Sequence, residues 1–534
     1  MTTQLYTGGR IFTADRRPWA TAMVVQGDRI QYVGDDRTAR RIAGPDAAET
    51  ALQGALMLPG FVDAHAHVVH TGRAVQQVDL WSASDLPQLL ETIAHGAAAD
   101  PDAPRVRAQG WQQSATGAPH RRMLDEIVPD RPVYVQAHDL HSIWLNTAAL
   151  AEIGIDDDTV APAGGCIHKD ADGHITGLID ETAMQQLVWP ALDAFSTDDD
   201  VDRFTEAALR GYRETGVTAA TDMAMDESEL AAMQRAHEQG ALTARITAHW
   251  LVHPTGSTEQ DLAQVRRAAE LAADVHDDRL RVVGIKIVSD GTVDGCTAAL
   301  RRPYADGSLA DPVWSPEALA PVVIAADAAG LQIAIHAIGD TAITNAIDAL
   351  ERAVAVNGPA QRRHRIEHLE VVEPADIERL AALGITASMQ PVHSDPAIQD
   401  NWRAMLGDER VERGYPWPEM TDQGAALVFG TDSPTSPHAP LPNMFIAATR
   451  RSALDPGLEP NLPRYAMPLT DAVLHATRDA AWACRAENDY GRLAAGLLAD
   501  FIVLDRDVFA GEADELLEAR VVRTVVGGEV VFER

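Results

Sequence analysis

Pro59-Gly60-Phe61-Val62-Asp63-Ala64-His65-Ala66-His67 decides how the rest of the chain reads. A short apolar run closes on His-x-His. On an extended strand, residues i and i+2 face the same way. His65 and His67 can therefore offer both imidazoles to one ion from one rigid strand end. Taken alone, the pair also fits two hydrogen-bonded histidines in a loop. Outward from this stretch, seven more short apolar runs follow, at 216–221, 245–251, 282–288, 331–336, 365–368, 385–389 and 425–430. Amphipathic patterns of helical period separate most of them, for example at 316–328, 341–356 and 374–383. Eight strands alternating with helices predict an α/β chain built on a (β/α)8 barrel.

The flanks read differently. Runs at 4–12, 20–26 and 30–34, broken by Gly27-Asp28-Arg29, have the spacing of small antiparallel β-structure. The far end repeats that pattern at 500–504, 521–526 and 529–532, with Gly527-Gly528 as a hairpin signal. The expected organisation is a small β-sandwich domain formed by both termini (1–58 and 490–534) around a barrel at 59–489. A gap of about 150 residues after the first strand predicts a long insertion at about 70–210, with apolar runs at 105–110 and 132–137.

Composition sets the outer bounds. The chain has 534 residues, of which 46% are hydrophobic, enough for a large core. Its net charge of −35 repels nucleic acid and anionic membranes. No apolar run reaches the roughly 18 residues that a membrane span needs. The start, MTTQLYTGGRIFTAD, has no basic stretch followed by an apolar core, so no secretion signal is expected. Cys166, Cys296 and Cys484 are odd in number and far apart, suiting neither a disulfide framework nor a zinc finger. These features point to a cytoplasmic protein acting on a small molecule, with a homodimer as the ordinary oligomeric expectation.

Three further strand ends share the geometry of the His-x-His pair. His336 closes 331–336, His368 closes 365–368, and Asp432 follows 425–430. Barrel enzymes place their catalytic groups at the C-terminal ends of the strands. Any one of these residues could be an ordinary strand-end polar group. Four histidines and an aspartate together form a donor set suited to Zn²⁺ and similar divalent ions. Lysine occurs only at Lys169 and Lys286. Lys169 sits in a polar run and needs no special reason. Lys286 lies inside Val282-Val283-Gly284-Ile285-Lys286-Ile287-Val288, where a free ammonium would be costly to bury. Burial lowers a lysine pKa, and a neutral amine can take up carbon dioxide as a carbamate, N6-carboxylysine. The alternative is a buried stem with its head reaching solvent.

The ordered set His65-x-His67, Lys286, His336, His368 and Asp432 resembles the amidohydrolase superfamily. The stretches LMLPGFVDAHAH, HDLHSIWLNTAAL, GGCIHKDADGHITGL, GIKIVSDGTVDGCTAAL, IAIHAIGD, RIEHLE, SMQP, FGTDSP and GRLAAGLLADFIVLD look like amidohydrolase family 3, its YtcJ-like branch. The resemblance runs nearly end to end and includes the insertion. It implies that His65 and His67 hold one metal, that His336 and His368 hold a second, and that Lys286 bridges them as a carbamate. Asp432 would coordinate the first metal and shuttle the proton. The implied enzyme hydrolyses carbon–nitrogen bonds other than peptide bonds, using metal-bound hydroxide, with one or two ions per chain. Two alternatives stay open: a mononuclear-metal deaminase of the same superfamily, and a non-catalytic scaffold barrel. Further candidates surround this set. His141, Trp144 and Asn146 would close over the substrate, or else form a packed helix start. Asp290 and Arg365 would orient ligands. His393 would meet the substrate, or else sit in a surface loop.

Overall fold

The structure is a computed structural model describing residues 2–112, 115–138, 140–162 and 165–534. Eight strands form one parallel sheet: β1 (Phe61–Ala66), β2 (Val217–Met225), β3 (Arg245–Val252), β4 (Leu280–Val288), β5 (Gln332–Ala337), β6 (Arg365–His368), β7 (Thr386–Met389) and β8 (Leu427–Phe429). Their order in the sheet follows the chain, from β1 to β8. Every one of the eight expected strands is present, with helices between most of them, as a (β/α)8 barrel requires. Helices at Pro316–Ala328 and Pro374–Leu383 match the expected bounds. Each starts with proline, whose missing N–H costs nothing in a first turn. The first also has the Ser315 hydroxyl capping the amide of Ala318.

The barrel closes at its metal-ligand candidates. The amide of Asp432 donates to the carbonyl of His65 at 2.7 Å, and the amide of His67 donates to the carbonyl of Ser433 at 2.9 Å. The buried Asp63 carboxylate accepts the Thr431 amide at 2.9 Å and its hydroxyl at 2.6 Å. Gly430 lies so close to β1 that a Cβ there would fall 2.4 Å from the His65 nitrogen. No larger residue fits that seam.

Two sheets flank the barrel, both made from the chain ends. One has four strands, Arg29–Gly34, Ala22–Gln26, Thr3–Thr7 and Ala48–Ala51. The other has six, in the order Glu529–Glu533, Val521–Val526, Phe501–Leu504, Leu56–Pro59, Arg10–Phe12 and Trp19–Ala20. Tyr6 and Met23 from the first sheet share a core with Ile11, Met57, Phe501 and Val525 from the second. The single run expected at 4–12 splits into two strands because Gly8 turns the backbone at φ 70. The strand Leu56–Pro59 leads directly into β1, so the terminal domain and the barrel share one continuous stretch of chain.

Val69–Ala208, with Pro434–Ser436, forms a separate compact unit. It holds a six-stranded sheet whose core includes Trp111, Trp144, Leu89 and Val133. Among the described residues, no helix is long and apolar enough to cross a membrane. Cys166, Cys296 and Cys484 are all free.

Candidate metal centre

The barrel gathers the expected ligands at one end. His65 lies on β1 and His67 just beyond it, with ring centroids 5.6 Å apart. The His368 ring is 5.0 Å from His65 and 4.5 Å from His336. Asp432 Oδ1 lies 3.2 Å from His65 Nε2 and 3.1 Å from His67 Nε2. Ligand atoms of His65, His368 and Asp432 all fall within 4.8 Å of one another. Register places Val288 of β4 opposite His336 of β5, and Ala337 opposite His368 of β6.

Two of these residues leave the extended backbone. His368 adopts φ 77 and Asp432 φ 56, in the left-handed region that side-chain-bearing residues seldom occupy. The turn at His368 has a clear geometric use. Neighbours on a regular strand face opposite ways. Glu367 reaches across the barrel to His65, yet the His368 ring meets His65 and His336 on that same side. Such strain persists only where the surrounding structure enforces it, and it concentrates at functional sites.

Beneath the ligands lies a buried ionic network. Arg365 and Glu367 are both fully buried. Arg365 Nε donates to Glu367 Oε1 at 2.5 Å, and Nη2 donates to Oε2 at 3.0 Å. Arg365 also reaches the Ala64 carbonyl at 2.7 Å and the Ser388 hydroxyl at 2.6 Å. His65 Nδ1 meets Glu367 Oε2 at 2.6 Å. Burial works against an ionised Glu367, but Arg365 and His65 hold its carboxyl well below the usual range. Arg365 thus holds the carboxylate that contacts His65. Asp290 does comparable work at β5. Its carboxylate accepts the amides of Ala299, Ile338 and Gly339 at 2.8–3.0 Å and lies 3.5 Å from His336 Nε2. Burial, resisted by those amides, pushes Asp290 up to about 7.

The donor set fits a cation. With a carboxylate on Nδ1, His65 carries its hydrogen there, and Nε2 presents a lone pair. That buried Nε2 has no hydrogen-bond partner among the described residues, yet it faces Asp432 at 3.2 Å. Asp432 is itself a carboxylate: burial opposes its charge, but His65 and His67 hold it well below the usual range. A lone pair on His65 Nε2 repels the Asp432 oxygen 3.2 Å away unless a positive charge lies between them. That separation is what two ligands of one ion show at Zn–N and Zn–O distances of about 2.0–2.2 Å.

Lys286 lies on β4 and is buried, 2% exposed. Desolvation lowers its pKa, while Glu367 and Asp432 partly restore it. His393 is only partly exposed. It stacks on His368, with centroids 5.8 Å apart and planes 11° apart. Its Nδ1 is 3.2 Å from Glu370 and its Nε2 is 3.5 Å from Asp432. Burial lowers its pKa, but Glu370 and Asp432 raise it more, for a net rise. The surface-loop alternative for His393 does not match that position.

The insertion candidates have other surroundings. Asn146 caps the helix Thr147–Glu152, accepting the amides of Ala149 and Val133 and donating to two carbonyls, Val128 and Arg131. Its amide is fully engaged in that turn. Trp144 is wholly buried in the core of the insertion. Asn146 thus serves the helix start, while Trp144 lies on the strand Ser142–Leu145 with its indole Nε1 buried and without a hydrogen-bond partner among the described residues. His141 Nδ1 contacts Glu181 at 2.9 Å. Sequence reasoning missed Glu367, Glu370 and Asp63. A faint signal existed in Arg365-x-Glu367, where two charges at strand spacing fall in a run that is otherwise buried.

The amidohydrolase family model matches residues 48–532. The chain belongs to the amidohydrolase family. This bears out the resemblance seen in the motifs. It is 29% identical to the YtcJ protein of Bacillus subtilis (strain 168), over 99% of each chain. It is 27% identical to the N-substituted formamide deformylase of Arthrobacter pascens, covering 97% of this chain and 96% of that one. Among solved structures, an uncharacterized metal-dependent hydrolase from Pyrococcus horikoshii OT3 matches with TM-score 0.77 and 25% identity, over 96% of this amidohydrolase and 99% of that chain.

Proposed function

We propose that this amidohydrolase cleaves a carbon–nitrogen, amide-type, non-peptide bond with the help of a bound divalent metal. The observation that carries this reading is the convergence of His65 Nε2 and His67 Nε2 on a single oxygen of Asp432. It is supported by the relative that is a formamide deformylase. A bound divalent ion, Zn²⁺ by its donor set, would supply an acidified water and a polarised substrate carbonyl.

The chain's own residues would divide the remaining work. His65, His67 and Asp432 would hold one ion, and His336 and His368 a second. Glu367 keeps His65 in the tautomer that leaves Nε2 free to bind. Lys286, its amine made easier to deprotonate by burial, would take up carbon dioxide: a nitrogen–carbon bond forms, the amine loses a proton, and the resulting carboxylate joins the ligand set. Asp432 would accept the proton from the attacking water on a carboxylate oxygen and return it to the departing nitrogen. Its low pKa suits the acceptor role only if substrate binding raises it as charge develops nearby.

Elemental analysis together with an activity screen tests this reading. Metal-loaded protein should carry about two ions per chain and hydrolyse at least one member of a set of formamides, N-acyl amines, cyclic amides and esters. About one ion per chain, with release of ammonia from an amino-substituted ring, would favour the deaminase. Failure to bind any metal under any loading condition would overturn the enzyme reading.

A further inference from the structure

The site contains a second buried side-chain string that the ligand set leaves unexplained. Tyr415 donates its hydroxyl to Glu370 Oε2 at 3.0 Å. Glu370 Oε1 meets His393 Nδ1 at 3.2 Å. His393 Nε2 then lies 3.5 Å from Asp432 Oδ2, the oxygen turned away from His65 and His67. With a carboxylate on Nδ1, the imidazole is fixed with its other nitrogen toward Asp432.

Several independent features hold this string in place. The single turn carrying His393, Pro391–Ser394, is secured at three points. Asn443 Oδ1 accepts the Val392 amide at 2.8 Å, Gln399 Nε2 donates to the His393 carbonyl at 2.7 Å, and Asn461 Nδ2 donates to the Ser394 carbonyl at 3.1 Å. Asn443 also donates from Nδ2 to the Gly430 carbonyl at 2.8 Å. One side chain thus ties the turn bearing His393 to the strand end bearing Asp432. Glu370 owes its position to unusual backbone. His368 and Leu369 are consecutive left-handed residues, φ 77 and 51, and neither is glycine. Two costly conformations in a row bring Glu370 back beside the ring it contacts. Asn146, in contrast, is accounted for by the helix turn it caps.

We propose that His393 contacts the scissile group of the substrate beside Asp432, and that Glu370 and Tyr415 are positioning residues that act through it. This inference rests on the hydrolase reading above. It adds a substrate-facing imidazole to that reading, together with the residues that aim it.

A double-mutant cycle between Glu370 and His393, on metal-loaded protein and any amide the wild type hydrolyses, tests the proposal. His393→Ala should lower kcat about 100-fold, within the range usual for one positioned proton-transfer or hydrogen-bonding group, with a smaller change in KM. Glu370→Ala should lower kcat by about 10- to 100-fold, the cost of a misplaced group. In the His393→Ala background it should lower kcat no further. Tyr415→Phe, which removes only a hydroxyl, should give a milder loss in kcat and guards against misreading a folding defect. Metal content should stay at the wild-type level in all of them. Crystals of Glu370→Ala should show the His393 ring turned away from its near-parallel stacking on His368. Additive losses would overturn the proposal, because Glu370 would then act independently of His393. So would metal loss in Glu370→Ala or His393→Ala, since His368, Glu370 and His393 have ligand atoms within 4.8 Å of one another and would then be a metal site. An unmoved ring in the crystal would also count against it. If the wild type hydrolyses nothing, the hydrolase reading fails, while the crystal still tests whether Glu370 aims the ring.

Discussion

Replacing Glu367 with glutamine would test how far the metal centre depends on the charges beneath it. The carboxylate accepts three donors: Arg365 Nε on one oxygen, and Arg365 Nη2 and His65 Nδ1 on the other. An amide of the same shape has only one oxygen. If that oxygen stays on His65, the amide nitrogen faces the Arg365 N–H. If it stays on Arg365, the amide donates to His65 Nδ1 and forces the hydrogen onto Nε2, the atom needed for the metal. Either way a fully buried guanidinium loses its counter-charge, a change that typically costs about 3–5 kcal/mol. Losing the group that orients a ligating histidine typically weakens metal binding about 10- to 100-fold, or roughly 1.4–2.8 kcal/mol at about 1.4 kcal/mol per decade. Urea unfolding of the metal-free protein reads the first quantity, and chelator competition reads the second. The pH dependence carries a sign as well. In the folded protein, Glu367 titrates well below its ordinary 4.5. Its contribution is therefore complete above about that pH in wild type and is lost as acid carries the solution down through the folded value. Glu367→Gln should lack that part of the acid-side loss. Metal affinity within twofold of wild type, with metal-free stability unchanged, would refute the argument that this pair orients His65.

Four further outcomes are expected. Asp432→Asn should keep much of the metal but lose most turnover; near-normal kcat would remove its proton-carrying role. Lys286→Ala should lose metal, measured by elemental analysis, and regain it with a short carboxylic acid; retained metal without the acid would dismiss the bridging carbamate. Gly430→Ala should cost roughly 1–3 kcal/mol or more, because its methyl meets β1 backbone rather than a yielding side chain; an unchanged unfolding midpoint would count against so tight a seam. Arg245→Ala removes a 2.6 Å partner from buried Asp500, joining β3 to the C-terminal strands, and should destabilise by about 3–5 kcal/mol; a loss below about 1 kcal/mol would show the pair to be dispensable.

The barrel was legible because central parallel strands are buried on both faces and appear as short apolar runs between helical patterns. The candidate ligands His336 and His368 were legible because each closes such a run, and Asp432 because it follows one. The network beneath them was harder to read. Glu367 and Arg365 sit within β6, where a charge in one dimension suggests an interruption rather than a partner for a residue 302 positions earlier. Glu370 was hidden by the left-handed turn at His368 and Leu369, which no residue type announces when neither is glycine. Trp144 and Asn146 were conspicuous for the opposite reason. A large aromatic and a capping amide stand out in a sequence whether they serve a site or, as here, a buried strand and the helix cap that follows it.

The seam between β1 and β8 has a consequence for how the protein comes into being. The hydrogen bonds that finish the barrel are made by the backbones of His65, His67 and Asp432 themselves. The first of these residues leaves the ribosome hundreds of residues before the last. Until the final strand arrives, both histidines lack Asp432 and the barrel has no closing edge. Such a long-range pairing forms late and slowly. Metal uptake at this pair of histidines would therefore mark the moment at which the chain has closed. An interrupted translation product, however well its early strands fold, should be unable to hold the ion there.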